Sequence, residues 1–178
     1  SMDDGIGKIL TKLKEEKIYD NTIVFFLSDN GAPKKRWTEK DGANSPFSGY
    51  KGSDLGEGGV RTPFFMQWPK KIKPKTTYDN PVSSFDIFAT MRSIINPDLE
   101  LPNKIHGKDI LPYVLSEKSG APHESLFWKI NGDFKIVNND TIRGNDRFAV
   151  RSKNYKMIID ENGNNYLYDL NKDISEQN

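Results

Sequence analysis

The sequence contains no cysteine and only two histidines in 178 residues. The absence of cysteine excludes disulfide bridges, thiolate metal sites and a cysteine nucleophile within this chain. An excess of charge of one sign is also absent, because 26 Lys and Arg residues oppose 25 Asp and Glu residues, for a net charge of +1. A chain whose positive and negative charges balance has no long-range electrostatic field that would attract a polyanion, so we expect no nucleic acid as a partner.

Long hydrophobic runs are missing as well. The longest covers residues 23–27, far short of the stretch of about 18 apolar residues that crosses a bilayer, so we expect no membrane span. The first residues show no secretory signal. Hydrophobic residues still make up 35% of the chain and aromatic residues 11%, which is sufficient for a packed core.

The first part of the chain has the pattern of an α/β fold. Apolar residues at helical spacing predict an amphipathic helix over 6–18. Residues 22–28 are apolar on both faces, which predicts a central strand with parallel neighbours and helices on either side. Further predictions are a strand over 60–68, a helix over 83–95 and a short helix over 109–115.

From residue 125 onward, short β-type runs alternate with turns rich in Asn and Gly, which predicts a small antiparallel sheet. The runs cover 126–130, 134–137, 148–151, 155–159 and 166–170. We therefore expect two domains: residues 1–119 form part of a mixed, largely parallel sheet flanked by helices, and residues 120–178 form a small antiparallel β subdomain.

The apolar strand over 22–28 needs more neighbouring strands and covering helices than this chain supplies. We therefore expect the chain to be the C-terminal part of a larger protein, with the missing N-terminal part as its first partner. An incomplete sheet exposes strand edges, so we also expect some self-association of the fragment.

A candidate metal site follows that strand directly, in the segment Ser28-Asp29-Asn30-Gly31. Ligands in open α/β sheets bind beyond the carboxyl ends of strands. Asp29 and Asn30 offer oxygen donors there, which suit Ca²⁺ or Mg²⁺ better than zinc. The same four residues are also an ordinary turn sequence, so the segment alone does not decide between the two interpretations.

A candidate anion site lies at Lys51, between Gly49 and Gly52. The glycines let the backbone bend closely around an anion, and the ammonium group can contact sulfate or phosphate as a point charge. A lysine in a glycine-rich loop is by itself more often a surface residue. Lys51 becomes informative only in combination with Asp29 and Asn30.

Three segments occur in this order: Ser-Asp-Asn-Gly, Gly-x-Lys-Gly, and Glu-Gly-Gly-Val-Arg-Thr-Pro at 57–63. This series resembles the arylsulfatase-like sulfatase family, which has the alkaline phosphatase superfold. Similar segments continue along nearly the whole chain, at 2–10, 20–24, 81–88, 106–112, 149–158 and 167–170.

The resemblance implies an enzyme that hydrolyses sulfate esters with a formylglycine nucleophile, made from Cys or Ser in a Cys/Ser-x-Pro-x-Arg motif. It implies Asp29 and Asn30 as Ca²⁺ ligands and Lys51 as the catalytic and substrate-binding residue that contacts the sulfate. It also implies a sulfated small molecule or glycan as substrate. Localisation follows only indirectly, since many such enzymes are periplasmic, secreted or lysosomal.

Several parts of the family's site are absent from this sequence. No Cys/Ser-x-Pro-x-Arg segment occurs in it, and the family's early acidic ligands and catalytic histidine are missing too. Ser48 stands where the family often has an arginine. Because Ca²⁺ takes six to eight oxygens, we expect the isolated chain to bind it weakly and to be inactive.

Three further features have less certain roles. His106 lies in a connection that matches a structural junction of the family, and His123, beside Pro122, is expected at the surface. Lys34-Lys35-Arg36-Trp37 follows the Asp-Asn segment; it either rims the pocket and touches a sulfated sugar or forms an exposed basic loop.

Two alternatives remain open from the sequence. A phosphodiesterase or phosphatase of the same superfold would have zinc-like metals and tends to carry Asp-His after the strand, so Asn30 favours a sulfatase. A non-catalytic module that binds carbohydrate or a protein partner is the other alternative, and the missing nucleophile supports it for this chain.

Overall fold

The computed structural model describes residues 1–33, 44–52, 55–99, 105–132, 134–137 and 140–177. Contacts between Cα atoms divide the chain into two compact units. The first consists of Ser1–Leu27 and Phe64–Pro122, the second of Ser28–Pro63 and His123–Asn178. The second unit thus combines residues 28–63 with the C-terminal strands, which the sequence did not indicate. The predicted limits of 1–119 and 120–178 stay a prediction.

Helices and strands are mixed up to residue 114, and the described elements after it are strands. In chain order they are α1 (Met2–Glu15), a 3-10 turn (Tyr19–Asn21), β1 (Val24–Leu27), α2 (Glu57–Val60), β2 (Phe64–Gln67), α3 (Asp86–Ile95), α4 (Leu111–Val114), β3 (Leu126–Ile130), β4 (Phe134–Val137), β5 (Asp140–Arg143), β6 (Arg147–Ser152), β7 (Tyr155–Ile159) and β8 (Asn165–Asp169). This confirms the mixed α/β class and the antiparallel C-terminal sheet.

Strand β1 of the first unit pairs with β2, and the pairing is antiparallel, with Phe26 opposite Phe65. The parallel neighbours predicted for β1 do not occur among the described residues. The predicted strand over 60–68 is also shorter, because α2 occupies its beginning: the Arg61 N–H donates to the Glu57 carbonyl at 2.7 Å, which closes a helical turn.

The first unit is built around a small core in which Trp68, Ile72 and Leu111 are buried. The connection before α4 is tied to α3 by buried polar groups. The Asp86 carboxylate accepts hydrogen bonds from the Ser83 and Lys108 N–H groups at 2.7 and 2.8 Å. Among the described residues, no helix is long and apolar enough to cross a bilayer.

The second unit contains a four-stranded antiparallel sheet in the order β3-β6-β7-β8. Side chains alternate between its faces, so Ala149 and Lys156 are buried on one face, while Phe127 and Leu167 are 77% and 67% exposed on the other. β4 pairs with β5 in a separate hairpin. β5 is not among the strands that the sequence predicts.

Candidate functional site

The two segments singled out in the sequence lie against each other in the second unit. We call residues 28–33 the Asp-Asn turn and residues 44–52 the lysine loop. The Lys51 N–H donates a hydrogen bond to the Ala32 carbonyl at 3.1 Å, which joins the loop to the turn. The structure therefore brings the backbones of Asp29, Asn30 and Lys51 into one region of the unit.

Asn44 holds the lysine loop onto the Asp-Asn turn with its side-chain amide. Its Oδ1 accepts the Ala32 N–H at 2.8 Å, and its Nδ2 donates to the carbonyls of Ala32 and Gly49, both at 3.0 Å. One side chain thus satisfies three backbone groups that belong to no strand or helix, which fixes both segments without regular secondary structure.

A second link between the two segments runs through α2. The Gly31 N–H donates to the Gly59 carbonyl at 2.9 Å, and the Gly58 N–H donates to the Ser48 carbonyl at 2.5 Å. The backbones are in direct contact, because a Cβ atom on Gly31 would lie 1.7 Å from the Gly58 carbonyl oxygen. Only glycine fits at that approach.

The charged groups predicted for the site are directed to solvent. Asp29 and Lys51 are exposed and Asn30 is half-buried. Within the described ranges no hydrogen bond or ion pair involves the Asp29 carboxylate or the Lys51 ammonium group. Both charges are therefore available to a ligand.

The donor set fits part of a calcium site. Asn30 donates its Nδ2 to the Gly31 carbonyl at 3.0 Å, which leaves its Oδ1 to accept or to coordinate. With the Asp29 carboxylate this gives two hard oxygen ligands of the kind that Ca²⁺ takes. No group of three or more His, Cys, Asp or Glu side chains that could hold a metal occurs among the described residues, so the other ligands would have to come from elsewhere.

A buried charge network lies beside α2, and sequence reasoning missed it. The Glu57 carboxylate, 1% exposed, accepts hydrogen bonds from Arg151 Nη1 at 2.8 Å and from Lys156 Nζ at 3.0 Å. Lys156, fully buried, also lies 2.9 Å from Glu176 Oε1. Glu176 in turn accepts the Glu57 backbone N–H at 2.6 Å. We call Glu57, Arg151, Lys156 and Glu176 the Glu57 network.

Burial raises the pKa of the Glu176 carboxyl group, while attraction to Lys156 and the hydrogen bond from Glu57 oppose that rise. A sequence signal for the network did exist. In β7, Lys156 shares the sheet face of Ile158, and in β6, Arg151 shares the face of Ala149. A charged residue at an inward position of a strand requires a buried partner, so the pattern indicates an ion pair without naming the partner.

The remaining sequence candidates are placed as follows. His106 is exposed in the connection before α4, where a Cβ on the adjoining Gly107 would lie 2.1 Å from the Phe85 carbonyl oxygen. This close packing supports the structural interpretation of the connection. His123 is half-buried. The basic segment 34–37 lies outside the described residues.

Comparison with known proteins gives two family matches. The model described as Sulfatase matches residues 1–96, and the model described as N-sulphoglucosamine sulphohydrolase, C-terminal, matches residues 54–178. The uncharacterized sulfatase YdeN of Escherichia coli is 38% identical over 130 residues, which cover 72% of this chain and 22% of that protein. An arylsulfatase of Hemicentrotus pulcherrimus is 40% identical over 136 residues, covering 76% of this chain and 24% of that protein.

A solved structure shares the fold of this chain. The crystal structure of Ps i-CgsB in complex with k-i-k-neocarrahexaose superposes with a TM-score of 0.78 and 26% identity, covering 99% of this chain and 36% of that chain. The chain spans about a quarter of the length of the two curated relatives, 22% and 24%.

Proposed function

Because the chain belongs to the sulfatase family, we propose that the protein it represents hydrolyses sulfate esters. In this proposal, Asp29 and Asn30 supply part of a calcium site and Lys51 binds the sulfate group. The observation that carries it is the meeting of the Asp-Asn turn with the lysine loop through the Lys51 N–H and the Ala32 carbonyl, 3.1 Å apart. The Asp29 carboxylate and the Lys51 ammonium group are both exposed, and neither has a partner among the described residues.

The chemistry of a sulfate ester fits these groups. The transferring SO₃ group carries negative charge on oxygens that point away from the scissile bond, and cations fixed around those oxygens stabilise the charge that develops there. Lys51 supplies one such cation on a backbone held by Asn44. A calcium ion held in part by Asp29 and Asn30 would supply a second, divalent charge against the same oxygens.

The nucleophile is absent from this chain. The sequence has no cysteine and no Ser-x-Pro-x-Arg segment, so a formylglycine would have to come from a segment outside these residues. We therefore assign this chain the charge-stabilising half of the site and expect no turnover from it alone.

The substrate class proposed is a sulfated glycan or a small sulfate ester. The bound molecule named for Ps i-CgsB, k-i-k-neocarrahexaose, supports the glycan side of this proposal. The sulfatase assignment is better supported than a phosphodiesterase or phosphatase, because both family models and both curated relatives named above are sulfatases.

The test is Lys51→Ala in the complete protein, with release of sulfate from an aryl sulfate as the assay. We expect kcat/KM to fall by about 10²–10³-fold, as when one preorganised charge-stabilising donor is removed. Lys73→Ala, at another exposed lysine, is the matched control and should leave activity unchanged. Equal activity of the two variants, or cleavage of phosphodiesters with zinc and no action on sulfate esters, would refute the proposal.

A further inference from the structure

Helix α2 is the point where the two site segments are joined. It donates the Gly58 N–H to the Ser48 carbonyl of the lysine loop and accepts the Gly31 N–H of the Asp-Asn turn at the Gly59 carbonyl. The contact leaves no room for adjustment, since a Cβ on Gly58 would lie 2.5 Å from the Gly49 carbonyl oxygen. A shift of α2 would therefore move both segments.

The side chain of Glu57, the first residue of α2, is bound by residues of the four-stranded sheet. Its two carboxylate oxygens are bound separately, Oε2 by Arg151 at 2.8 Å and Oε1 by Lys156 at 3.0 Å, both from the four-stranded sheet. The backbone N–H of the same residue is bound by Glu176 at 2.6 Å. Three contacts from segments distant in sequence thus hold one residue at the start of a helix that is only four residues long.

Buried ion pairs contribute little net stability compared with apolar residues of the same volume, because both charges lose their hydration. Their requirement for fixed geometry, however, makes them effective at holding two segments in one arrangement. A network of this kind, buried beside the helix that joins the two site segments, points to a positional role.

We propose that Glu57 is a positioning residue for the sulfate site: through the Glu57 network it fixes α2 and thereby the spacing between Lys51 and the Asp-Asn turn. The role in catalysis rests on the proposed function, whereas the positional role does not. Glu57 itself is 1% exposed and acts through the backbone of Gly58 and Gly59 rather than by contact with substrate.

Hydrogen exchange of this chain tests the positional role directly. Glu57→Gln keeps the size of the side chain and the backbone N–H while it removes the charge. We expect the amides of Gly31, Lys51 and Gly58 to exchange at least about tenfold faster in this variant, because local opening is easier there, while the amides within β6 and β7 keep their protection.

Asp146→Asn is the matched control. Asp146 lies in the same unit and also binds two cations, Lys129 at 2.7 Å and Arg143, but within the described part of the chain it contacts neither site segment. A purely structural effect of losing a carboxylate would appear in both variants. Unchanged exchange of the three amides in Glu57→Gln, or equal acceleration in Asp146→Asn, would overturn the proposal.

Arg151→Gln serves where Glu57→Gln does not fold, because Arg151 lies at the margin of the network with 14% exposure and Lys156 still neutralises Glu57. The same three amides should lose protection. A normal exchange pattern in this variant would then contradict the proposal.

The effect of Glu57→Gln on catalysis is measured in the complete protein. Glu57→Gln should lower kcat/KM for a sulfate ester by about tenfold or more while Asp146→Asn does not, since a small displacement of a binding group reduces transition-state stabilisation. Faster amide exchange in a protein with no action on sulfate esters would refute the proposed function and leave the positional role intact. Slower turnover without faster exchange would refute the positional role.

Discussion

Removal of the Lys156 ammonium group gives the sharpest test of the Glu57 network. The variant Lys156→Met keeps an unbranched side chain that is shorter only by the ammonium group, and it leaves two buried carboxylates with fewer cations. Glu57 retains Arg151 at 2.8 Å, whereas Glu176 loses the cation that lies 2.9 Å from its Oε1. The loss of stability in this variant should therefore come mainly from the uncompensated charge of Glu176.

Breaking a buried pair by removing one partner typically costs about 3–5 kcal/mol, since the remaining charge is left uncompensated. Total stabilities of domains are only about 5–15 kcal/mol, so the effect is large. With a urea dependence of about 2 kcal/mol per molar, the unfolding midpoint should drop by roughly 2 M at pH 7.5.

The loss of stability caused by Lys156→Met should also depend on pH in a defined direction. Burial already raises the pKa of Glu176 above its ordinary value of 4.5, and Lys156 opposes that rise. Without Lys156 the pKa rises further, so the folded state keeps a proton that the unfolded state releases above about pH 4.5. The folded state then binds more protons, and stability falls as pH increases through this window.

Urea unfolding, followed by circular dichroism at pH 5 and at pH 7.5, measures the loss of stability at each pH. Lys172→Met is the control, because Lys172 is 83% exposed in its pair with Asp169 and should change stability by no more than about 1 kcal/mol. Equal losses for the two lysine variants, or a loss for Lys156→Met that is greater at pH 5 than at pH 7.5, would refute the reasoning about the buried network.

Three further predictions follow from other parts of the structure. Gly31→Ala should disturb the Asp-Asn turn, because its Cβ would lie 1.7 Å from the Gly58 carbonyl oxygen; limited proteolysis should cut near residues 28–33 faster than in Gly5→Ala, which has open space around it. The Lys129 hydrogen bond lowers the pKa of Asp146 below 3.8, so its stabilisation is present above that pH and lost as pH falls through the lowered value. Asp146→Asn should therefore flatten the acid limb of the stability curve measured by urea unfolding between pH 2 and pH 5. Calorimetric titration of the chain with CaCl₂ should give no binding at micromolar concentrations, since two oxygen ligands are too few; a micromolar Kd would contradict the partial-site assignment.

The regular elements were predictable where side-chain patterning decides the structure. The runs at 126–130, 134–137 and 155–159 match β3, β4 and β7 in both bounds, because alternation and turn residues define strands locally. The direction of the pairing of β1 was not predictable. A strand that is apolar on both faces suggested parallel neighbours, but orientation depends on which distant segment pairs with it, here β2.

The sequence indicates candidate site residues, but it does not indicate the buried residues that lie behind them. Asp29, Asn30 and Lys51 lie in recognisable motifs, although their roles stay predictions. The Glu57 network combines residues from positions 57, 151, 156 and 176, and no local pattern links an inward-facing lysine to a glutamate about a hundred positions away. Such pairings arise from tertiary packing alone.

The contact between Gly31 and Gly58 has a consequence for engineering. Because a Cβ on Gly31 would lie 1.7 Å from the Gly58 carbonyl oxygen, the Asp-Asn turn and α2 cannot be redesigned separately: an insertion that moves one of them would force the other to move. Attempts to redesign this region should therefore vary other positions of the lysine loop and keep glycine at positions 31 and 58.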